Sequence, residues 1–98
     1  MRFVSIQPGS GGDFDDLVRS TPGFVKFYHP SCHHCVSMAP AWDALEKEIP
    51  RIGNQEMNII EVHADALSEI KSDCVKNIMG FPTIMEVKPG GVAGTEFQ

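Results

Sequence analysis

Two cysteines separated by two residues, Cys32 and Cys35, are the side chains of this sequence best suited to chemistry. A Cys-x-x-Cys pair can cycle between two thiols and a disulfide, and the same spacing is common in metal sites. A disulfide between them would close too short a loop to stabilise the fold much through chain entropy. We therefore interpret the pair as reactive thiols rather than as a structural cross-link.

Two histidines, His33 and His34, lie between the cysteines. An imidazole that is protonated or donates a hydrogen bond stabilises a neighbouring thiolate, which favours the dithiol form and makes the disulfide more oxidising. Both histidines are therefore predicted to tune the pKa of the cysteine pair and to bias the site towards donating disulfides.

The segments on either side of the cysteines predict how the pair is positioned. Residues 24–28 are rich in β-formers and almost continuously apolar, which is typical of a central parallel strand. After a short loop, apolar residues at alternating spacings of three and four predict a helix. These are Cys35, Met38, Trp42, Leu45 and Ile49. Cys32 then lies at the amino terminus of the helix, where unpaired backbone amides favour a thiolate, so Cys32 is the expected nucleophile and the buried Cys35 the resolving thiol.

The length of the chain is enough for one compact domain, residues 1–98, in which strands alternate with helices. Further strands are expected at residues 3–6 and 59–63, and a closing hairpin at residues 83–87 and 92–97. The order of these elements predicts an α/β fold.

Two more helices are expected. A short one is predicted to begin at Asp13, and the other is indicated by a second apolar stripe with helical spacing. That stripe consists of Leu67, Ile70, Cys74 and Ile78. Because free cysteines are among the most buried residue types, Cys74 is expected to pack in the core.

The composition argues against several classes of partner. Thirteen acidic and eight basic residues give a formal net charge of -5, and the basic residues are scattered, so nucleic acid is not an expected partner. No apolar run approaches the roughly 20 residues of a membrane helix, and no signal peptide is recognisable. We therefore expect no membrane contact, and the cytoplasm is the default location.

The segment from Phe24 to Cys35, followed by Ala39-Pro40 and Trp42, resembles the active-site segment of thioredoxins and protein disulfide isomerases. Gly80-Phe81-Pro82-Thr83 extends the resemblance to most of the chain. It implies a thioredoxin fold, with a central mixed β-sheet flanked by helices. Because the chain ends at Gln98, where this family usually continues into a last helix, that helix is expected to be absent.

The resemblance also implies an activity, that of a protein disulfide oxidase or isomerase-like thiol–disulfide oxidoreductase. Such an enzyme needs no metal or organic cofactor. Its expected partners are cysteine-containing proteins or peptides and a recycling reductant or oxidant. Phe81 and Pro82 would form the platform that binds an extended substrate, with Pro82 in the cis form facing the cysteines. The alternative is that Phe81-Pro82 is only a turn before a strand.

Two charged residues depart from the family pattern. Isomerases carry an acidic residue where Lys26 stands and a lysine where Glu61 stands, so the two charges are exchanged. An unpaired lysine in a central strand would be costly. We hypothesise that Lys26 and Glu61 pair beneath Cys35 and tune its proton transfer, with Glu61 as the base.

The sequence is also compatible with two other functions. The histidines and cysteines around the motif could bind zinc or an iron–sulfur cluster instead. They are His29, Cys32, His33, His34 and Cys35. A structural zinc site needs four ligands, and the sequence has no second Cys-x-x-Cys, so no metal is expected. The third possibility is a binding module that keeps the fold without turnover.

Overall fold

The computed structural model describes the backbone of residues 2–52 and 57–97, and within these ranges all side chains except those of residues 2, 34 and 45–52. The elements follow one another in the order expected of an α/β domain. They are β1 (Arg2–Ile6), α1 (Gly11–Val18), β2 (Gly23–Tyr28), α2 (His33–Ile52), β3 (Asn58–His63), two short 3-10 segments (Ala64–Glu69 and Asp73–Val75), β4 (Thr83–Lys88) and β5 (Val92–Phe97).

The five strands form one mixed sheet in the order β1-β3-β2-β4-β5. β1 and β2 both pair with β3 in parallel, whereas β2 with β4 and β4 with β5 are antiparallel. The β4–β5 hairpin turns through Gly90 and Gly91, whose positive φ angles of 94° and 78° suit glycine. The predicted mixed sheet flanked by helices is confirmed, and β2 is its central strand.

The two faces of the sheet are packed by different helices. Side chains alternate along a strand, so Val25 and Phe27 of β2 face α1 and the 3-10 segments, where the larger apolar cluster lies. Lys26 and Tyr28 point to the opposite face. On that face Trp42 of α2 and Ile59 form a smaller apolar cluster. The partly buried residues packed against it are Phe3, Phe24 and Met57. The strand that leads into the cysteine motif therefore carries a buried lysine on the face covered by α2.

The prediction of a helix between β3 and β4, made from the second apolar stripe, is wrong. The chain instead forms two 3-10 segments, and the intervening Ile70 has extended backbone angles (φ -94°, ψ 130°). The apolar residues of the predicted stripe still face the core, and Ile70 and Cys74 are buried there. Their inward pattern was interpreted correctly, but it arises without a continuous helix.

Contacts from α1 and the loop before it explain this difference. The Asp15 carboxylate accepts hydrogen bonds from the backbone N–H groups of Lys71 and Ser72 at 3.0 and 2.9 Å. The Glu69 carboxylate accepts the N–H groups of Gly9 and Gly11. These bonds hold residues 69–72 in an irregular path. Glu69 also caps the amino terminus of α1, which therefore begins at Gly11 rather than at Asp13.

Among the helices that the structure describes, none is both long and apolar enough to cross a membrane.

Candidate active site

Cys32 lies directly before α2, at the carboxyl end of the central strand. Its backbone N–H donates to the carbonyl of His29 at 3.0 Å, and its own carbonyl accepts the N–H of Val36 at 3.1 Å. The loop after β2 therefore turns straight into the helix. Cys32 occupies the position at which the first amides of a helix point towards a side chain.

The sulfur of Cys32 contacts two backbone groups. The N–H of Cys35 donates to Cys32 Sγ with a separation of 3.4 Å, and the thiol of Cys32 donates to the carbonyl oxygen of Phe81 at 3.3 Å. Cys32 is only partly buried. An amide in the first turn of a helix favours a thiolate over a thiol, so this geometry suits a nucleophile that a large substrate can reach.

Cys35 lies one turn further on and is 5% exposed. Burial raises the pKa of the Cys35 thiol, whereas the N–H of His29, 3.5 Å from its sulfur, and the charge of Lys26 act in the opposite direction. The net shift is upward. The inner cysteine is therefore held as a protonated thiol, shielded from outside reagents and close to Cys32.

The two histidines of the motif are the first two residues of α2. His33, the first residue of α2, is exposed. The side chain of His34 lies outside the described part of the chain, and so does its predicted role. His29 holds the loop before α2 in place, and this role was not predicted from the sequence. Its imidazole Nδ1 accepts the N–H of Ser31 at 3.0 Å, and its ring centre lies 6.1 Å from that of Phe81.

Phe81 and Pro82 lie across from the motif. The peptide bond between them is cis, and the Phe81 carbonyl is the group that contacts Cys32. A shallow pocket of about 330 Å³ borders them, with Met79 and Glu96 on its walls. Met79 is 97% exposed. The pocket therefore shares Phe81 with the contact to the Cys32 sulfur.

Lys26 and Glu61 lie side by side on adjacent parallel strands. Lys26 Nζ is 3.4 Å from Glu61 Oε2, and the lysine side chain is 5% exposed while that of the glutamate is 35% exposed. The ammonium also stands 4.6 Å from the centre of the Trp42 ring. Both charged residues and Cys35 line one pocket of about 260 Å³. The structure thus brings together Lys26 and Glu61, as the sequence predicted, in a pocket that Cys35 also lines.

Cys74 lies apart from this site, in the apolar cluster beneath α1, and is 1% exposed. Burial, together with the nearby Asp15 charge, raises the pKa of its thiol to about 12. At that pKa the thiol is protonated and unreactive at neutral pH, which fits a packing role.

Metal ligands do not converge in the described part of the chain. Among its side chains, no three histidine, cysteine or acidic residues are close enough together to hold a metal ion. The side chain of His34 is outside this set.

Residues 5–97 match the model of the Thioredoxin family, which is nearly the whole chain. Over 94 residues the chain is 31% identical to protein disulfide-isomerase erp38 of Neurospora crassa, covering 96% of this chain and 23% of that protein. It is 33% identical over 79 residues to a thioredoxin domain-containing protein of Theileria parva, covering 74% of this chain and 33% of the relative. The chain thus spans a third or less of the length of these relatives.

Solved structures agree on the fold. The first two thioredoxin domains of Saccharomyces cerevisiae Eps1p superpose with a TM-score of 0.70 at 23% identity, covering 93% of this chain and 34% of that one. The reduced thioredoxin of Schistosoma mansoni gives a TM-score of 0.66 at 20% identity, covering 99% and 85%. At these identities, the likeness extends to the fold alone.

Proposed function

Since the chain belongs to the thioredoxin family, we propose that it is a thiol–disulfide oxidoreductase of the protein disulfide isomerase type, in which Cys32 and Cys35 alternate between a dithiol and a disulfide. The observation that carries the proposal is the setting of Cys32. Its sulfur lies 3.4 Å from the Cys35 amide in the first turn of α2 and 3.3 Å from the Phe81 carbonyl.

In the reducing direction, the Cys32 thiolate attacks one sulfur of a client disulfide. The client S–S bond breaks, the released client thiolate takes up a proton, and a mixed disulfide joins the client to Cys32. Cys35 then loses its proton and attacks the Cys32 sulfur. The second client thiol leaves, and two electrons have passed from the cysteine pair to the client.

In the oxidising direction, a client thiolate attacks Cys32 Sγ in the Cys32–Cys35 disulfide. Cys35 leaves as a thiolate, and a second client thiolate displaces Cys32 from the mixed disulfide. The client gains a disulfide and the site gains two electrons. A client whose disulfides are wrongly paired can use both directions, which amounts to isomerisation.

Phe81 and Pro82 are proposed to bind the client on either side of its cysteine. An extended segment laid beside them would bring a client sulfur to Cys32 and would pair with backbone groups of the loop. Substrates would be proteins or peptides with cysteines. No cofactor is required, but turnover requires a separate oxidant or reductant to recycle the pair.

His33 and His34 are proposed to favour the dithiol form through their charge or hydrogen bonds. Their position at the amino end of α2 supports this role, because a cation there would lie near the Cys32 thiolate. A stabilised dithiol makes the disulfide a stronger oxidant, so the proposed direction is disulfide donation.

A trapping experiment tests the proposed function. In a Cys74→Ala background, Cys35→Ala should accumulate a one-to-one mixed disulfide at Cys32 with a synthetic peptide that contains a disulfide, detected by mass after acid quenching. Cys32→Ala should form none, and the reduced parent should reduce one peptide disulfide and be left with a Cys32–Cys35 disulfide. If Cys35→Ala traps no peptide, the proposal fails. One equivalent of zinc or iron in protein purified without chelator would instead favour a metal-binding module.

A further inference from the structure

The shallow pocket beside Phe81 and Pro82 carries a carboxylate for which the exchange steps above give no role. We propose that Glu96, on the wall of this pocket, selects clients that have a lysine or an arginine close to the reacting cysteine, and that Met79 packs along the stem of that basic side chain. This inference rests on the proposed function and adds to it the class of client that the site accepts.

The pocket is next to the contact that positions Cys32. Phe81 belongs to both, because its carbonyl oxygen lies 3.3 Å from Cys32 Sγ and the residue also lines the pocket. The other lining residues are Asn77, Met79, Gly80, Pro82, Thr83 and Glu96. A client segment that reaches Cys32 along Phe81 and Pro82 would therefore pass this pocket with the residues that flank its cysteine.

Strand β5 places the Glu96 carboxylate at this position and leaves it accessible. The strand is at one edge of the sheet, and Glu96 is the register partner of Met85 on β4. Its side chain is exposed. Within the described part of the chain, the carboxylates that form charged contacts are those of Asp16, Glu61, Asp65 and Asp73. Glu96 is not among them, so its charge is available to a client.

The pocket matches one basic side chain in size and in chemistry. Its volume of about 330 Å³ is at the lower end of the roughly 300–1,000 Å³ of sites that enclose a whole small ligand. Met79 is 97% exposed, so its flexible thioether can pack on the methylene groups of a lysine or arginine stem. Glu96 can then accept hydrogen bonds from the ammonium or guanidinium group, and such bonds are strong because both partners are charged.

The cation has to come from the client. Among the described residues that line this pocket, none is a lysine, an arginine or a histidine. The nearest lysine in the sequence on this side, Lys76, is held by Asp73 with a separation of 2.8 Å between Nζ and Oδ1. A client with a glutamate in the same place would instead meet the like charge of Glu96, which is unfavourable. The pocket therefore distinguishes clients by the sign of their charge.

The charge of the whole chain favours the same clients, but by a different route. A formal net charge of -5 attracts basic peptides over a distance and raises their rate of encounter. That effect depends little on which carboxylate is removed, whereas a contact in the pocket depends on Glu96 alone. Replacing Glu96 and a distant glutamate in turn therefore separates the two effects.

Single-turnover kinetics with matched peptides measure the preference. Each probe is a peptide with one cysteine joined by a disulfide to 2-thiopyridine, and it carries Lys, Met or Glu at one of the two positions on either side of that cysteine. The Cys32 thiolate of reduced Cys74→Ala protein attacks the peptide sulfur and breaks the bond to the pyridine sulfur. The pyridine thiolate leaves, takes up a proton and is followed by its absorbance as thiopyridone. Cys35 then attacks Cys32 Sγ and releases the peptide thiol.

The intrinsic reactivity of each peptide is removed by a reference reaction. Every rate is divided by the rate of the same peptide with mercaptoethanol, which is an uncharged thiol. At one or more positions, the Lys peptide should then react about fivefold faster than the Met peptide, which is the upper end of the usual effect of an exposed ion pair. The Glu peptide should react more slowly than the Met peptide.

Variants of the pocket assign the preference to particular side chains. Glu96→Gln should remove most of the difference between the Lys and Met peptides, and Glu96→Lys should make the Glu peptide the fastest. Met79→Ala should slow the Lys and Met peptides by similar factors, because it removes apolar contact but no charge. Glu86→Gln on β4 is the matched control, since it makes the same change of charge outside this pocket and should keep the preference. Urea unfolding shows that each variant is folded under the assay conditions.

The outcomes distinguish the two proposals. A preference for Lys that Glu96→Gln removes and Glu86→Gln retains supports the inference. If the Cys74→Ala protein shows no preference for Lys at any position, or if Glu96→Gln and Glu86→Gln change it equally, the inference is overturned while the proposed function stands. If no peptide reacts faster with the Cys74→Ala protein than with the same protein carrying Cys32→Ala, both proposals fail.

Discussion

The two faces of strands β2 and β3 differ in the side chains that they carry. Towards α1, the residues are apolar and fully buried, as at Phe27 and Ile60, and the cysteine there is Cys74. Towards α2, the same strands carry Lys26 and Glu61 beside a pocket that reaches Cys35. Because side chains alternate along a strand, one backbone supports a tightly packed face and a face that carries a charged pair beside a pocket. The first stabilises the fold, and the second places two charged residues beside the pocket that Cys35 lines.

The largest expected contrast is between the thiols of the two faces. With a pKa of about 12, only about one in ten thousand Cys74 thiols is ionised at pH 8, and the residue is also buried. Iodoacetamide should therefore alkylate Cys32 in the native protein and leave Cys74 intact, as peptide mapping would detect. In denaturant all three cysteines should react. Equal labelling of Cys32 and Cys74 in the native state would contradict the contrast.

Two adjacent residues of β3 lie on opposite faces of the sheet, since Ile60 points to α1 and Glu61 to α2. Ile60→Ala should lower the free energy of unfolding by about 2–5 kcal/mol, and Ile60→Val by about 0.5–1.5 kcal/mol, because each leaves a cavity in packed surroundings. Glu61→Gln should cost about 1–3 kcal/mol, because it removes the carboxylate that faces the buried Lys26 ammonium and leaves an amide oxygen in its place. Urea titrations measure these values.

The same positions should rank differently in a single-turnover assay that follows resolution of the mixed disulfide between Cys32 and glutathione. Folded Ile60→Ala should resolve it at the parent rate, whereas Glu61→Gln should slow it if Glu61 is the base. If Ile60→Ala slowed resolution more than Glu61→Gln did, the two faces would not have separate roles.

A smaller effect is expected at the polar edge of the α1 face. Asp15 is partly desolvated, but hydrogen bonds from the Ser72 hydroxyl and the Lys71 and Ser72 amides outweigh this and hold the pKa of the carboxyl below its usual value of 3.8. The stability gained from the lowered pKa is present above pH 3.8 and is lost as the pH falls towards the folded-state pKa.

Asp15→Asn should therefore lower the free energy of unfolding at neutral pH by about 1–2 kcal/mol, through the weakened hydrogen bonds. It should also reduce the loss of stability on acidification below pH 4. Thermal unfolding between pH 3 and pH 7 measures both. A variant that loses stability in acid as steeply as the parent would show that this carboxylate is not the sensitive group.

Local patterns in the sequence were sufficient for much of the fold. The apolar runs located all five strands, with differences of one residue at their ends, and the stripe after the motif located α2. The segment between β3 and β4 was predicted incorrectly because its path depends on Asp15 and Glu69, which contact residues more than fifty positions away. A local pattern of apolar residues cannot indicate such long-range hydrogen bonds.

The candidate site divides in the same way. The spacing of Cys32 and Cys35 and the strand–loop–helix order are local, so the sequence could identify them. The contact between Lys26 and Trp42 depends on how α2 lies across the sheet, and the pocket depends on β3 as well. The N–H of His29, which contacts the Cys35 sulfur, is a backbone group whose direction no residue type indicates.

An equilibrium titration against reduced and oxidised glutathione tests whether Cys32 and Cys35 form a redox pair that donates disulfides, with Cys74→Ala protein alkylated and weighed at each ratio. We expect a Cys32–Cys35 disulfide that forms in a single two-electron transition with a potential at or above about -180 mV, as for a disulfide donor or isomerase. A potential near about -270 mV would reverse the proposed direction of electron flow. Protein that forms no such disulfide at any ratio would contradict redox catalysis altogether.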